Sequence, residues 1–146
     1  MTNIVFFGTE EFSVPTLEAL IASDYEIAAV VTKPDSVRGR GHKIDSPTVA
    51  KIATSHNIKV LQPGKLSDIR DDLIETHAPI GVLVSYGKII PQSIIDIFPN
   101  GIINLHPSLL PQYRGPSPME TAIVNGDSKT GLTIMSLVRE MDAGPI

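Results

Sequence analysis

Residues 3–32, NIVFFGTEEFSVPTLEALIASDYEIAAVVT, decide the fold. NIVFFG (3–8) is an apolar run that closes on Gly8, LEALIA (17–22) continues a helical pattern opening near Ser13 and Pro15, and IAAVVT (27–32) is apolar again. Apolar runs that do not alternate with polar residues suit strands buried on both faces, and two of them joined by a helix make a parallel pair. The unit recurs downstream. A helical stretch covers 48–56, a short strand 58–61 and a polar helical piece 67–77; IGVLV (80–84) is apolar throughout. A helix starting at Pro91 carries Ile94, Ile95 and Phe98 for packing, and IINLH (102–106) follows the Asn100-Gly101 turn. The reading is an α/β fold: a Rossmann-like open, largely parallel sheet with flanking helices and right-handed crossovers. The last third departs from this rhythm, with a Pro-rich loop over 107–118, a helix around 119–125, the Gly126-Asp127 turn and a strand at 131–137. Residues 33–46 read as a polar, flexible loop.

Composition narrows the function. A chain of 146 residues that is 42% hydrophobic has the size of one domain. No apolar run approaches the roughly 18 residues of a membrane-spanning helix. The chain has no cysteine, which excludes a disulfide framework, a thiolate metal site and a cysteine nucleophile, and the four histidines are too scattered for a zinc signature. MTNIVFFG enters a strand without the features of a signal peptide, so the expected location is cytoplasmic. GTEEF (8–12) stands where a dinucleotide fold carries its phosphate loop, yet lacks G-x-G-x-x-G, so a nicotinamide cofactor is disfavoured. Gly8 then reads as the residue of a tight turn.

Candidate chemistry sits at the end of the last parallel strand. Residues two apart on a strand share a face, so Asn104 and His106 lie on one side and Ile103 and Leu105 on the other. An amide donor can stabilise charge on a carbonyl oxygen, and an imidazole can hold or move a proton near neutrality. Asp142, in MDAGPI, would orient the ring if the fold brought it near; a turn-forming role for Asp142 and an ordinary hydrogen-bonded role for His106 are equally compatible with the spacing. PSLLPQYRGPSP (107–118) is a rigid loop that would serve as a wall for a flat ligand or simply pack on the sheet.

FFGTEEF, KPDSVRGRG, SYGKIIP, INLHPSLLPQYRG, GDSKTGLTIM and MDAGPI, in this order, span nearly the whole chain. With these six motifs the sequence resembles the amino-terminal domain of 10-formyltetrahydrofolate-dependent formyltransferases, most closely those that act on methionyl initiator tRNA. The resemblance implies catalytic roles for Asn104, His106 and Asp142, and a folate contact at Ser108, Leu109, Leu110 and Pro111. It implies a tRNA-binding loop with Arg38, Arg40 and Lys43, where Arg40 matches the functional arginine. The formyl donor would be 10-formyltetrahydrofolate and the acceptor initiator methionyl-tRNA, for a monomer that needs no metal and no membrane. Relatives acting on glycinamide ribonucleotide or amino sugars share the Asn, His and Asp set, so those motifs alone leave the acceptor open, as they leave open a folate-binding module without turnover. It further implies that residues 1–146 end within the catalytic domain, before a carboxy-terminal β-barrel domain, and that this piece is inactive in isolation.

Charge supports the tRNA reading independently. The overall charge is −4, yet residues 33–43 hold Lys33, Arg38, Arg40 and Lys43 against Asp35 alone. An acidic body with one basic loop can still reach phosphates there, through contacts that weaken with salt.

Overall fold

The computed structural model describes residues 2–38 and 43–146. Its centre is a six-stranded sheet in which β1 (Asn3–Gly8), β2 (Glu26–Val31), β5 (Lys59–Leu61), β6 (Ile80–Val84), β7 (Ile102–His106) and β8 (Thr133–Ser136) are ordered β5-β2-β1-β6-β7-β8. The first five strands run parallel and β8 pairs antiparallel with β7. Helices α1 (Val14–Ile21), α2 (Thr48–Ser55), α3 (Arg70–Glu75) and α4 (Gln92–Ile95) lie in the crossovers, and α5 (Pro118–Val124) precedes β8.

Strand β1 shows why the sheet is covered on both sides. Val5 and Phe7 point to one core with Ala29, Val31, Leu73, Ile94, Ile95 and Phe98. Ile4 and Phe6 point to the other, with Leu17, Val30, Val49 and Val84. Burying each large apolar side chain contributes about 1.5–3 kcal/mol, so an uninterrupted apolar strand is the cheapest sequence for this central position. Gly8 answers to packing as well: a Cβ there would lie 2.6 Å from Phe6 Cε1 and 2.9 Å from Ser13 Cβ. Its place at the end of the strand is thus set by the close passage of the 3-10 turn Glu11–Ser13. Pro15 sits in the first turn of α1, where its missing N–H costs nothing.

The 33–46 stretch is more ordered at its base than the sequence suggests. Strands β3 (Ser36–Arg38) and β4 (Lys43–Asp45) pair antiparallel, with Arg38 opposite Lys43 in register. Gln62 donates to the Asp35 carboxylate at 2.7 Å and to the Lys33 carbonyl at 3.0 Å, which ties the base of the hairpin to the edge of the sheet. The Gln62 hydrogen bond, joined by one from Ser46, holds the exposed Asp35 carboxyl below its ordinary value. Arg40 lies outside the described residues. Among the described residues no helix is long and apolar enough to cross a membrane.

The crossovers reverse direction between β1 and β6. In open α/β sheets such a switch point opens a crevice at the carboxyl ends of the strands, where ligands bind. Thr9 lines it: its Oγ1 donates to the Tyr86 carbonyl at 3.0 Å and accepts from the Lys33 amide at 3.2 Å. Lys33, counted with the basic loop in sequence, instead lies over Gly87, with its ammonium 3.7 Å from Glu10.

Candidate functional site

Strand β7 delivers two polar side chains into this end of the sheet. Its alternation places Ile102, Asn104 and His106 on the buried side, with Asn104 6% and His106 5% exposed. The apolar start of the strand docks in the core, and the same alternation then forces the polar pair inward at its carboxyl end. Asn104 is flanked in register by Leu83 of β6 and Met135 of β8, and His106 by Thr133 of β8.

Among the described residues the Asn104 carboxamide makes no side-chain hydrogen bond, although it keeps a small opening to solvent. A nearly buried amide without a partner is costly in a finished core, and it is the form expected of a donor kept for a ligand. His106 is constrained on both ring edges. Its Nε2 lies 2.9 Å from the Tyr113 carbonyl, which can only accept, so Nε2 carries a proton. Its Nδ1 faces Asp142 Oδ1 at 3.7 Å, close enough for a charge contact and too long for a hydrogen bond. The other Asp142 oxygen accepts the Gly115 N–H at 2.8 Å, which offsets part of the cost of placing a carboxylate that is 11% exposed. The Asp142 segment is tied to the sheet where the Ser136 amide donates to the Pro145 carbonyl at 2.8 Å. Gly144 permits that approach, since a Cβ there would lie 1.8 Å from the Ser136 carbonyl oxygen.

The SLLP segment divides its roles. Ser108 is fully buried, and its hydroxyl donates to the Gln112 carbonyl at 2.6 Å, so its polar atoms serve the loop itself. Leu109 is 47% exposed and lies across Gly131, Leu110 is half-buried, and Pro111 is exposed. Thr133 locks this segment to β8: its hydroxyl donates to the Ser108 carbonyl at 2.7 Å and accepts from the Leu110 amide at 3.1 Å. Sequence reading passes over Thr133, Tyr113 and Gly115. The last two act through backbone atoms, which leave no side-chain signature; Thr133 was detectable only as a hydroxyl on the inward face of an apolar strand.

The basic hairpin emerges after β2, and β2 is separated from β7 by β1 and β6. Three strand spacings set them roughly 14 Å apart along the same end of the sheet. The structure thus brings Asn104, His106 and Asp142 together, and sets Arg38 and Lys43 on a neighbouring rim. Tyr86, between them, is 1% exposed, and its hydroxyl has no partner among the described residues; burial raises its pKa above the usual 10.0. Among the described residues there is no cluster of three His, Cys, Asp or Glu placed to hold a metal ion.

Comparison with known proteins agrees with this geometry. The chain is 48% identical to a methionyl-tRNA formyltransferase of Lactobacillus acidophilus across 100% of its own length and 47% of that protein. It is 47% identical to a protein of the same description from Acetivibrio thermocellus, over 97% of this chain and 46% of the relative. The chain spans about half the length of the curated relatives it matches. In fold it is similar to a phosphoribosylglycinamide formyltransferase of Bacillus halodurans, with a TM-score of 0.78 at 22% identity over 99% of this chain and 76% of that one. A formyltetrahydrofolate deformylase of Pseudomonas syringae superposes with a TM-score of 0.77 at 22% identity, over 99% of this chain and 48% of the other. Residues 2–146 match the sequence model of the formyl transferase family. The parallel sheet, the inward Asn104 and His106, and a match along virtually the entire chain lead to one conclusion: this chain belongs to the formyl transferase family.

Proposed function

We propose that this chain is the amino-terminal catalytic part of a methionyl-tRNA formyltransferase, which moves the formyl group of 10-formyltetrahydrofolate to the α-amine of methionyl initiator tRNA. The observation that carries the chemistry is the unpartnered, nearly buried Asn104 carboxamide beside the His106–Asp142 pair. The acceptor assignment is supported by the two close relatives named above and by the basic hairpin.

The neutral amine attacks the formyl carbon, and negative charge develops on the formyl oxygen. Asn104 donates its amide to that oxygen. The proton on His106 Nε2 is committed to Tyr113, so the Nδ1 edge is the one left for the reaction. Protonated there, the ring gives a second donor to the developing oxyanion, with Asp142 beside that same edge to balance its charge. Asp142, directly or through water, takes the proton lost by the attacking amine. Collapse breaks the bond from the formyl carbon to N10, whose electron pair takes up the proton that Asp142 had accepted, directly or through water. The products are tetrahydrofolate and formylmethionyl-tRNA. Neither a metal nor a covalent enzyme intermediate enters this route. Leu109, exposed over Gly131, offers an apolar wall for the folate, with Leu110 and Pro111 beside it and Ser108 holding the loop in shape. Arg38, Arg40 and Lys43 meet tRNA phosphates, so binding weakens with added salt. The protein acts in the cytoplasm, as a monomer.

The test is transfer of formyl from 10-formyltetrahydrofolate to methionyl initiator tRNA by the full-length protein. Removing one oxyanion donor lowers kcat by about 10²–10³-fold in other enzymes, and Asn104→Ala should do the same here. Formylation of glycinamide ribonucleotide or an amino-sugar nucleotide with no formylmethionine would overturn the acceptor; folate binding without transfer to any of the three would make the chain a binding module.

A further inference from the structure

His106 and Asp142 are held by one stretch of three residues. The Tyr113 carbonyl receives His106 Nε2 at 2.9 Å, and the Gly115 amide donates to Asp142 Oδ2 at 2.8 Å. The stretch has an unusual backbone: Tyr113 has φ +55 and Gly115 φ +104. Glycine takes such angles freely, but a tyrosine in the left-handed region is strained and stays there only if its surroundings hold it. Its own phenol is anchored. The hydroxyl donates to Asp127 Oδ2 at 2.5 Å and accepts from Asn125 Nδ2 at 3.1 Å. These two residues belong to a built turn: Asn125 caps α5, and the Asp127 amide donates back to the Ala122 carbonyl at 3.0 Å. On the other side, Gln112 is braced by the Ser108 hydroxyl, which donates to its carbonyl at 2.6 Å, and by its own N–H, which donates to the Leu109 carbonyl at 3.1 Å.

We infer that Tyr113 is a positioning residue for the His106–Asp142 pair, acting through the anchorage of its phenol on Asp127 and Asn125 at the end of α5. The inference rests on the assignment of that pair to formyl transfer. The hydrogen bonds of the phenol go to Asp127 and Asn125, neither of them a member of the pair. It fixes the backbone whose carbonyl sets the proton on His106 Nε2, and whose next amide but one caps Asp142. Losing the anchor frees the ring to turn and the carboxylate to drift, while the partly exposed phenol contributes little to global stability.

The experiment uses the full-length protein with Tyr113→Phe, Asp127→Ala and Asp127→Asn, the last keeping an acceptor oxygen for the phenol. Two readouts are taken: solvent exchange of the His106 Nε2 proton by 15N-resolved imidazole NMR, and kcat and KM for formyl transfer. A lost anchor of about one hydrogen bond corresponds to roughly tenfold. Tyr113→Phe and Asp127→Ala should each speed that exchange and lower kcat by this factor at unchanged KM, and the double variant should add nothing further. Asp127→Asn should remain near wild type in both. Unchanged exchange of the Nε2 proton in Tyr113→Phe and in Asp127→Ala, with the wild type active, would overturn the inference and leave the functional reading standing. Faster exchange in a protein that transfers no formyl group would do the reverse.

Discussion

The two ends of the structure's logic are the central strands and the carboxyl edge of β7. In β1 and β2, Val5, Phe6, Phe7, Val30 and Val31 are all 0% exposed, and their side chains are held by apolar contact. At the β7 edge, Asn104 and His106 are buried nearly as deeply and Asp142 less so, and they depend on a few directed contacts, two of them to backbone atoms of Tyr113 and Gly115. Apolar packing has many partners and no required direction, so it supplies stability. The edge has few partners and strict direction; it supplies geometry, and it leaves the Asn104 amide unspent. Burial therefore serves two different ends.

The sharpest way to break this comparison is to empty one position in each region. Phe7→Ala removes a ring packed edge-on against Tyr86 and Phe98, each with centroids 6.0 Å away. It should lower unfolding free energy by about 3–5 kcal/mol in denaturant titrations. Asn104→Ala, with no hydrogen bond to lose, should leave the denaturation midpoint close to wild type while transfer falls. Equal destabilisation by the two variants would mean that the edge is built like the core. Gly8→Ala tests the junction between the regions: its methyl group meets Phe6 and the 3-10 turn, an overpacking expected to cost about 1–3 kcal/mol by thermal melting.

Tyr86 gives the smallest effect and the finest distinction. Its hydroxyl is buried without a partner among the described residues, so Tyr86→Phe should leave stability at neutral pH unchanged or slightly higher. The sign with pH follows from the direction of its shift. Burial holds the folded-state pKa above the unfolded value near 10, so the stability this group contributes is complete below about pH 10 and is lost as pH rises through the folded value. Melting curves between pH 8 and roughly pH 11 should show a shallower alkaline decline in Tyr86→Phe. An identical decline would place the alkaline sensitivity elsewhere.

Most of the sheet was legible in advance. NIVFFG, IGVLV and IINLH are buried strands at the residues expected, because an unbroken apolar run has few other uses in a domain this small. The pairing of 36–38 with 43–45 was not, since each strand is three residues long with a single apolar residue, and its base is tied down by Gln62 gripping Lys33 and Asp35 across 27 residues or more. That Asn104 and His106 share a face followed from the two-residue period of a strand; that this face is the buried one came only from the fold. The approach of Asp142 to His106 is a contact over 36 residues of chain, which no local pattern encodes; only the motif resemblance anticipated it.

What the amino-acid sequence determined by itself is the alternation of buried strands and helices, the face shared by Asn104 and His106, and the concentration of basic residues in one segment. These are local properties, written in hydrophobic period and composition. The tertiary structure decided which oxygen meets each nitrogen of the His106 ring, where Asp142 lies, that the Lys33 side chain turns to the crevice while its carbonyl stays at the base of the hairpin, and that the Tyr113 carbonyl meets His106. Those depend on chain segments distant in sequence meeting with defined backbone angles, and a backbone carbonyl or amide looks the same at every residue until the fold aims it.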